Sequence, residues 1–226
     1  MNIQDVAHQN VQGDRLIAIF NRQRELITKY QQIENMPDFP FNPHSRVGQK
    51  FFKDFAWRMT EELAEALEAY EEYCSTDNEQ HLDHFKEEVI DALHFLVENL
   101  ILIGISPEEV ADKDRDMYRE DYDMLANVFE LNSIVLGLET EISQLSIYDV
   151  SMEVIVKLGL AMNCLKNKPW KQTEILTDVP KFHDLMKQTF QAFIQLCIYA
   201  GINDDDMTDL YFRKSEVNFF RQRSNY

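Results

Sequence analysis

Glycine and proline are scarce in this chain, with 6 of each in 226 residues. Turn-rich all-β architectures use far more of both, so a sandwich or barrel is not expected. Cysteine is scarcer still. Cys74, Cys164 and Cys197 are odd in number and lack CxxC spacing, so they read as idle thiols of a reducing compartment, with neither a disulfide framework nor a zinc site. Basic residues are outnumbered, 22 Lys and Arg against 40 Asp and Glu, for a net charge of −18. Such a surface repels a phosphodiester backbone, so no nucleic-acid polymer is expected as a partner. Long apolar runs are missing too. The most apolar stretch, 92–105, contains His94, Glu98 and Asn99 and is too short and too polar to span a bilayer. The opening MNIQDVAHQN has neither the basic flank nor the apolar stretch of a secretory signal. No membrane partner is expected, and the cytoplasm is the expected location.

What is present is helical periodicity. Hydrophobic residues make up 45% and charged residues 27%, the balance of a globular chain and not of a disordered one. Apolar residues recurring every three or four positions predict a helix over 14–34, with Leu16, Ile17, Ile19, Phe20, Leu26, Ile27 and Tyr30 on its stripe. Pro37, Pro40 and Pro43 predict an irregular loop through Gly48. Helices are expected over 51–73 and 81–104, then from Pro107, behind a Ser106 cap, to about 127. Further helical segments are expected to about 145, over 149–167 and 181–201, and from about 203 into a polar, aromatic, basic tail. No segment reads as a strand. The fold class is all-α: a bundle of two helix-hairpin units in one domain over 1–226, with hairpins at about 50–105 and 149–201 and a tail at 211–226.

A faint internal repeat accompanies this pattern. A shift of 97 residues lays Gly104-Ile105 on Gly201-Ile202 and matches two helix–turn–helix units, with turns at 75–79 and around 173–180. Under that shift Glu62, Glu65, Glu88 and Asp91 fall on Gly159, Met162, Leu185 and Gln188. Two explanations are open: a duplication in which only the first copy kept its chemistry, or a chance alignment of two amphipathic hairpins.

The carboxylates of the first unit carry the chemistry. Glu62-x-x-Glu65 and Glu88-x-x-Asp91 are both i, i+3 pairs, whose side chains share a helix face. The pairs are centred about the turn at 75–79, each about 13 residues or roughly 20 Å from it, so an antiparallel hairpin sets them at one height. Facing carboxylates repel unless cations lie between them, and an all-oxygen donor set suits Mg²⁺ or Mn²⁺. Solvated acidic faces are the competing reading, and Glu61, Glu65, Glu68 and Glu72 form such a stripe. Asp91 resists it: it opens the apolar stretch 92–103, where an ionised carboxylate needs a metal or a partner.

These residues resemble the all-α nucleoside triphosphate pyrophosphohydrolase superfamily (MazG-like), in its dimeric dUTPase/dCTPase branch. Glu62-Leu-Ala-Glu65, a gap of 22 residues, and Glu88-Val-Ile-Asp91 are similar to its ExxE…ExxD pattern. Asp91-Ala-Leu-His94-Phe95 resembles the branch's DxxHF. The end of the chain, Lys214-Ser-Glu-Val-Asn218-Phe-Phe-Arg221-Gln222-Arg-Ser-Asn-Tyr226, resembles its KNxxNxxRQxxGY tail. Ser215 and Asn225 depart from that tail, and the tryptophan the branch carries after its first acidic pair is missing, since 70–74 reads YEEYC and Trp57 and Trp170 lie elsewhere.

The resemblance implies a homodimeric enzyme that hydrolyses a deoxynucleoside triphosphate to its monophosphate and pyrophosphate, in a cell or, for a phage protein, in the host cytoplasm. Glu62, Glu65, Glu88 and Asp91 would hold two or three Mg²⁺ ions, and Glu62 would orient or deprotonate the attacking water. Lys214, Arg221 and Tyr226 would close on the phosphates in a tail that folds over bound nucleotide. Asn218, Phe95, His94, Gln23 and Asn21 would meet the nucleotide. The implied substrate is dUTP and/or dCTP. Alternatives are a purine dNTP or broad house-cleaning enzyme of the same superfamily, and a non-catalytic helical interaction protein.

Overall fold

A computed structural model describes residues 2–33, 35–111, 122–138, 145–167 and 175–223. Among the described residues there are eight α-helices and no strand: α1 (Arg15–Ile33), α2 (Arg46–Thr76), α3 (Glu79–Ile103), α4 (Pro107–Val110), α5 (Met124–Leu138), α6 (Ile147–Cys164), α7 (Val179–Tyr199) and α8 (Asp204–Arg223). None of them is long and apolar enough to cross a membrane. The three cysteines are free thiols.

Local chemistry sets the helix limits. α2 starts at Arg46, five residues before the expected position, because Ser45 caps it: its Oγ accepts the Gly48 N–H at 2.9 Å. Gly48 fits there for lack of a side chain, since a Cβ would lie 2.7 Å from the Asn42 carbonyl oxygen. α2 ends at Asp77, which takes the left-handed conformation (φ 52°), and Asn78 caps α3 by accepting from the Gln80 N–H. The expected continuous helix over 107–127 does not form. α4 stops at Val110, 112–121 lie outside the described residues, and Asp123 starts a new helix by accepting from the N–H groups of Leu125 and Ala126. α5 ends at Leu138 and 139–144 are also outside the described residues.

α3 is the central helix and packs on α1, α2, α7 and α8. Its second half is buried on nearly every side, which is why its sequence lacks a polar face. Arg15 fastens the starts of three helices together, reaching Asp123 at 2.6 Å and Asp204 and Asp205 at 2.5 Å. The start of α8 is thereby held to α1, and the helix packs on α1 and α3.

The structure bears on the 97-residue repeat. Ile105 N–H donates to Leu100 O at 2.9 Å and Ile202 N–H to Cys197 O at 2.8 Å, closing α3 and α7 in the same way. Both closures pass through a left-handed glycine, Gly104 (φ 92°) and Gly201 (φ 69°). The next helices then start alike. Ser106 exchanges backbone and side-chain bonds with Glu109, and Asn203 does so with Asp206. The shared closures and caps are what a duplication would leave behind.

The two glycines separate strain from crowding. A left-handed side-chain residue costs about 1–2 kcal/mol, and Gly104 bears a further contact, because a Cβ there would sit 3.1 Å from Pro40 Cβ while one at Gly201 meets nothing within 4 Å. Gly104→Ala is expected to lower the urea midpoint more than Gly201→Ala. Equal losses would show that backbone strain alone sets both.

Candidate active site

The α2–α3 hairpin folds back through Asp77 and Asn78 and brings the acids to one height. Carboxylate oxygens of Glu62, Glu65 and Glu88 lie within 4.8 Å of one another. Glu88 is buried and its Oε1 is 3.2 Å from His84 Nδ1; Glu62 is half-buried and Glu65 exposed. Asp91 stands one turn further along α3 and is turned to another partner. Its Oδ2 is 2.6 Å from Lys214 Nζ on α8.

Proton affinities register the crowding. Burial, followed by the Asp91 charge and the hydrogen bond and charge of Glu88, pushes Glu62 up to about 8. Burial also pushes Asp91 up to about 6; Lys214 and Arg221 act against this and Glu88 adds to it. Burial works against the Lys214 charge, but Asp91, Glu88 and Glu87 outweigh it and hold the ammonium above its ordinary value. Three convergent carboxylates, one of them retaining a proton near neutrality, form an oxygen-only donor set that fits a hard divalent cation.

A cavity of about 250 Å³ opens beside the acids, between α1, α2, α3 and α8. Its walls are Gln23, Leu26 and Tyr30 from α1, Phe55, Arg58 and Glu62 from α2, Asp91, His94, Phe95 and Glu98 from α3, and Asn218 and Arg221 from α8. A buried network backs it. Gln23 Oε1 accepts from Tyr211 Oη at 2.6 Å and from His94 Nδ1 at 3.0 Å, while Gln23 Nε2 donates to Glu98 Oε2 at 3.2 Å. The last bond orients the amide, so the His94 proton sits on Nδ1. His94 stacks on Tyr211 with ring centroids 4.0 Å apart. Burial, with Lys214 and Arg22 adding to it and a hydrogen bond with the Tyr211 backbone opposing it, pushes His94 down to about 3, so the ring is neutral. Its Nε2 is a buried acceptor with no protein partner.

The structure thus brings Glu62, Asp91, His94, Phe95, Gln23, Asn218 and Arg221 to one cavity, with Glu65 and Glu88 beside it. Three expectations need correction. Asn21 is exposed and bonded to Arg24 at 3.3 Å; two residues from Gln23, roughly 200° around the helix, it points away from the cavity. Lys214 is buried on Asp91 and does not stand free to clamp phosphates. The tail, taken as 211–226, is helical as far as Arg223 and tied down by Tyr211, Lys214 and Ser215, whose Oγ accepts from Arg22 Nε at 2.5 Å. Tyr226 and Trp170 lie outside the described residues, and Trp57 is exposed with its Nε1 on Glu61 at 2.7 Å.

Residues that the motifs did not mark are Phe55, Arg58, Glu98 and Tyr211. Arg58 lies over the Phe55 ring at 4.9 Å and pairs with Asp54 at 3.0 Å. The available signal was spacing, since Arg58 precedes Glu62, and Glu98 follows His94, by one helical turn.

The family described as dUTPase matches over residues 15–226. The chain belongs to this all-α, MazG-like dUTPase family. No curated protein and no solved structure matches the chain. The family's activity is hydrolysis of a nucleoside triphosphate at its phosphate chain, and its members generally use a divalent metal. The acid cluster and the cavity it adjoins are the parts of this dUTPase-family chain that suit that chemistry.

The raised acids carry a pH signature. A carboxyl whose folded value lies above its unfolded one makes the folded state bind the extra proton, so its stabilisation is complete below the unfolded value and is lost as pH rises through the folded value. In EDTA, thermal stability is expected to fall from the ordinary Glu value of 4.5 toward about 8, the range over which Glu62 titrates. Glu62→Gln should flatten that descent, and Mg²⁺ or Mn²⁺ should raise the melting temperature most at its alkaline end. A flat profile in the unsubstituted protein would contradict the crowded arrangement.

Proposed function

We propose that this chain hydrolyses a deoxynucleoside triphosphate, dUTP and/or dCTP, to the monophosphate and pyrophosphate. The observation that carries the reading is the convergence of Glu62, Glu65 and Glu88 at the mouth of a cavity whose far wall is apolar, aromatic and amide-lined. Glu62, Glu65, Glu88 and Asp91 would hold two or three Mg²⁺ ions, or Mn²⁺ in their place, and these supply neutralisation of the triphosphate charge.

The chain's own residues do the rest. Glu62, at the border between cavity and acids, orients the attacking water and takes its proton on a carboxylate oxygen. Arg221 and Asn218 reach the cavity from α8 and face the phosphates and sugar. Lys214 holds Asp91 in place and neutralises it. Phe55 and Phe95, 6.3 Å apart between ring centroids, flank the base. His94 Nε2 accepts a hydrogen bond from the nucleotide, and the bonds of Gln23 and Tyr211 fix the tautomer that lets it do so. Uracil and cytosine each offer neighbouring donor and acceptor positions to such a wall, so discrimination between them is weak.

The working form is a homodimer in the cytoplasm, of the host if the chain is viral. Tyr148, Met152, Val156 and Leu160 recur every fourth position on α6 and are exposed, an apolar strip that supports pairing with a second copy.

A panel of common dNTPs and NTPs, with pyrophosphate release measured in Mg²⁺ and in EDTA, tests the assignment. Deoxypyrimidine triphosphates should be hydrolysed only with the cation, with appreciable turnover of both dUTP and dCTP. Glu62→Gln should lower kcat by about 10²–10⁴ with little change in substrate affinity. Near-normal turnover in both Glu62→Gln and Asp91→Asn would put the site elsewhere, and a clear preference for dATP or dGTP would replace the pyrimidine reading with a purine one.

A further inference from the structure

A second cavity, of about 470 Å³, lies in the other half of the molecule between α4, α5, α6 and α7. Four of the α7 residues that line it are Gln188, Gln191, Ala192 and Gln195. Shifted back by 97 they become Asp91, His94, Phe95 and Glu98, which are the four α3 residues lining the first cavity. The bonding behind them repeats as well. Asn132 on α5 donates from Nδ2 to Gln191 Oε1 at 2.7 Å and accepts at Oδ1 from Gln195 Nε2 at 3.0 Å. Gln23 on α1 likewise bridges His94 and Glu98. In both halves one amide from an adjacent helix joins an i, i+4 pair and aligns it along a cavity wall.

The difference lies where the acids would be. Glu62, Glu65 and Glu88 give way to Gly159, Met162 and Leu185, so the positions of the acid cluster carry no carboxylate here. The rim carries Lys157 and Lys187 against Glu109 and Asp184, and Lys157 also pairs with Glu153 at 3.0 Å. Asp184 Oδ2 accepts from Gln188 Nε2 at 2.8 Å, which leaves Gln188 Oε1 toward Lys157 Nζ, 3.5 Å away. Val110, Ala111, Val128 and Ala192 supply a buried apolar floor. The cavity is of ligand-pocket size, apolar below and polar at a few fixed points.

We propose that this cavity is a second nucleotide-binding site that works without metal and takes a nucleoside monophosphate, with the base against Gln191 and Gln195 and the phosphate on Lys157 and Lys187. A triphosphate is disfavoured, because its larger charge needs cations and the described lining offers only Glu109 and Asp184, set against two lysines. The hydrolysis proposed above releases a ligand of this class, so the second site would read the product of the first. The inference rests on the nucleotide reading of the first cavity.

The test is a titration in EDTA of protein carrying ¹³C-labelled Ala, Val and Leu methyl groups, with dUMP, dCMP, dAMP, dGMP and the matching nucleosides. The Val110, Val128, Leu131 and Ala192 resonances are expected to shift saturably, with Kd of about millimolar or tighter. Gln195→Leu, which leaves the Gln191 bonds to Asn132 and the Val110 carbonyl in place, should weaken binding about tenfold, on the scale of one lost hydrogen bond. Lys187→Ala, a rim change that leaves the floor intact, should weaken the monophosphates and leave the nucleosides unchanged. Unmoved resonances at these four residues, or shifts confined to Leu26 in the first cavity, would overturn the second site. Pyrophosphate release in Mg²⁺ by the same protein separates the two readings. Release with unmoved Val128 and Leu131 rejects only the second site, and no release from any triphosphate rejects the nucleotide reading from which it was drawn.

Discussion

Carboxylates cannot be gathered on a half-buried surface without something to offset their charge, and much of this molecule is arranged around that constraint. Glu62, Glu65 and Glu88 approach within 4.8 Å on the two helices that pack most extensively against each other. A hairpin this well packed cannot splay to relieve the repulsion. Relief has to come from a proton, a cation or a basic side chain. Glu62 takes the proton, and Lys214 on α8 supplies the basic side chain to Asp91. A divalent ion is the remaining means, and the all-oxygen donor set is made for it.

α8 accordingly has two tasks. Tyr211, Ser215 and Val217 bury it in the core, and Lys214, Asn218 and Arg221 face the acids and the cavity. Its start is fixed by Arg15, which gathers Asp123, Asp204 and Asp205, and its middle by Arg22 on Ser215 and Glu216. The Phe219 ring lies under Lys29 and Arg22, at 3.6 and 4.2 Å. A segment anchored at so many points forms part of the site's wall.

The two halves show how one backbone plan accommodates different electrostatics. The glycine closures, the caps that follow them and the i, i+4 pair bridged by an amide recur at the same 97-residue offset, while the bridging amide itself, Gln23 or Asn132, comes from a helix that does not. In the first half the bridged pair is His94 and Glu98, set beside acids. In the second it is Gln191 and Gln195, neutral, with Glu109 and Asp184 set against Lys157 and Lys187 at the rim. The α6–α7 hairpin thus lines its cavity without carboxylates at the positions of Glu62, Glu65 and Glu88.

The sequence by itself determined the helical class, the hairpin turn at Asp77 and Asn78, the height at which the acids meet and the family, because periodicity, caps and i, i+3 spacing are properties of a single helix or of two joined by a short turn. It placed the starts of α6, α7 and α8 within about two residues for the same reason. It misjudged 107–127, where α4 stops at Val110 and Asp123 turns its side chain to cap a new start. Only the tertiary structure decided what each helix meets. Spacing along α1 could not tell that Gln23 faces His94 while Asn21 faces solvent, and nothing near Lys214 in sequence announces that its ammonium ends on Asp91, 123 positions earlier. Glu98 looked like a polar interruption in an apolar run until Gln23 from α1 was seen to bond it. Those partners come from separate helices, and which of them converge is fixed by packing around α3, a property of the whole chain and not of any segment.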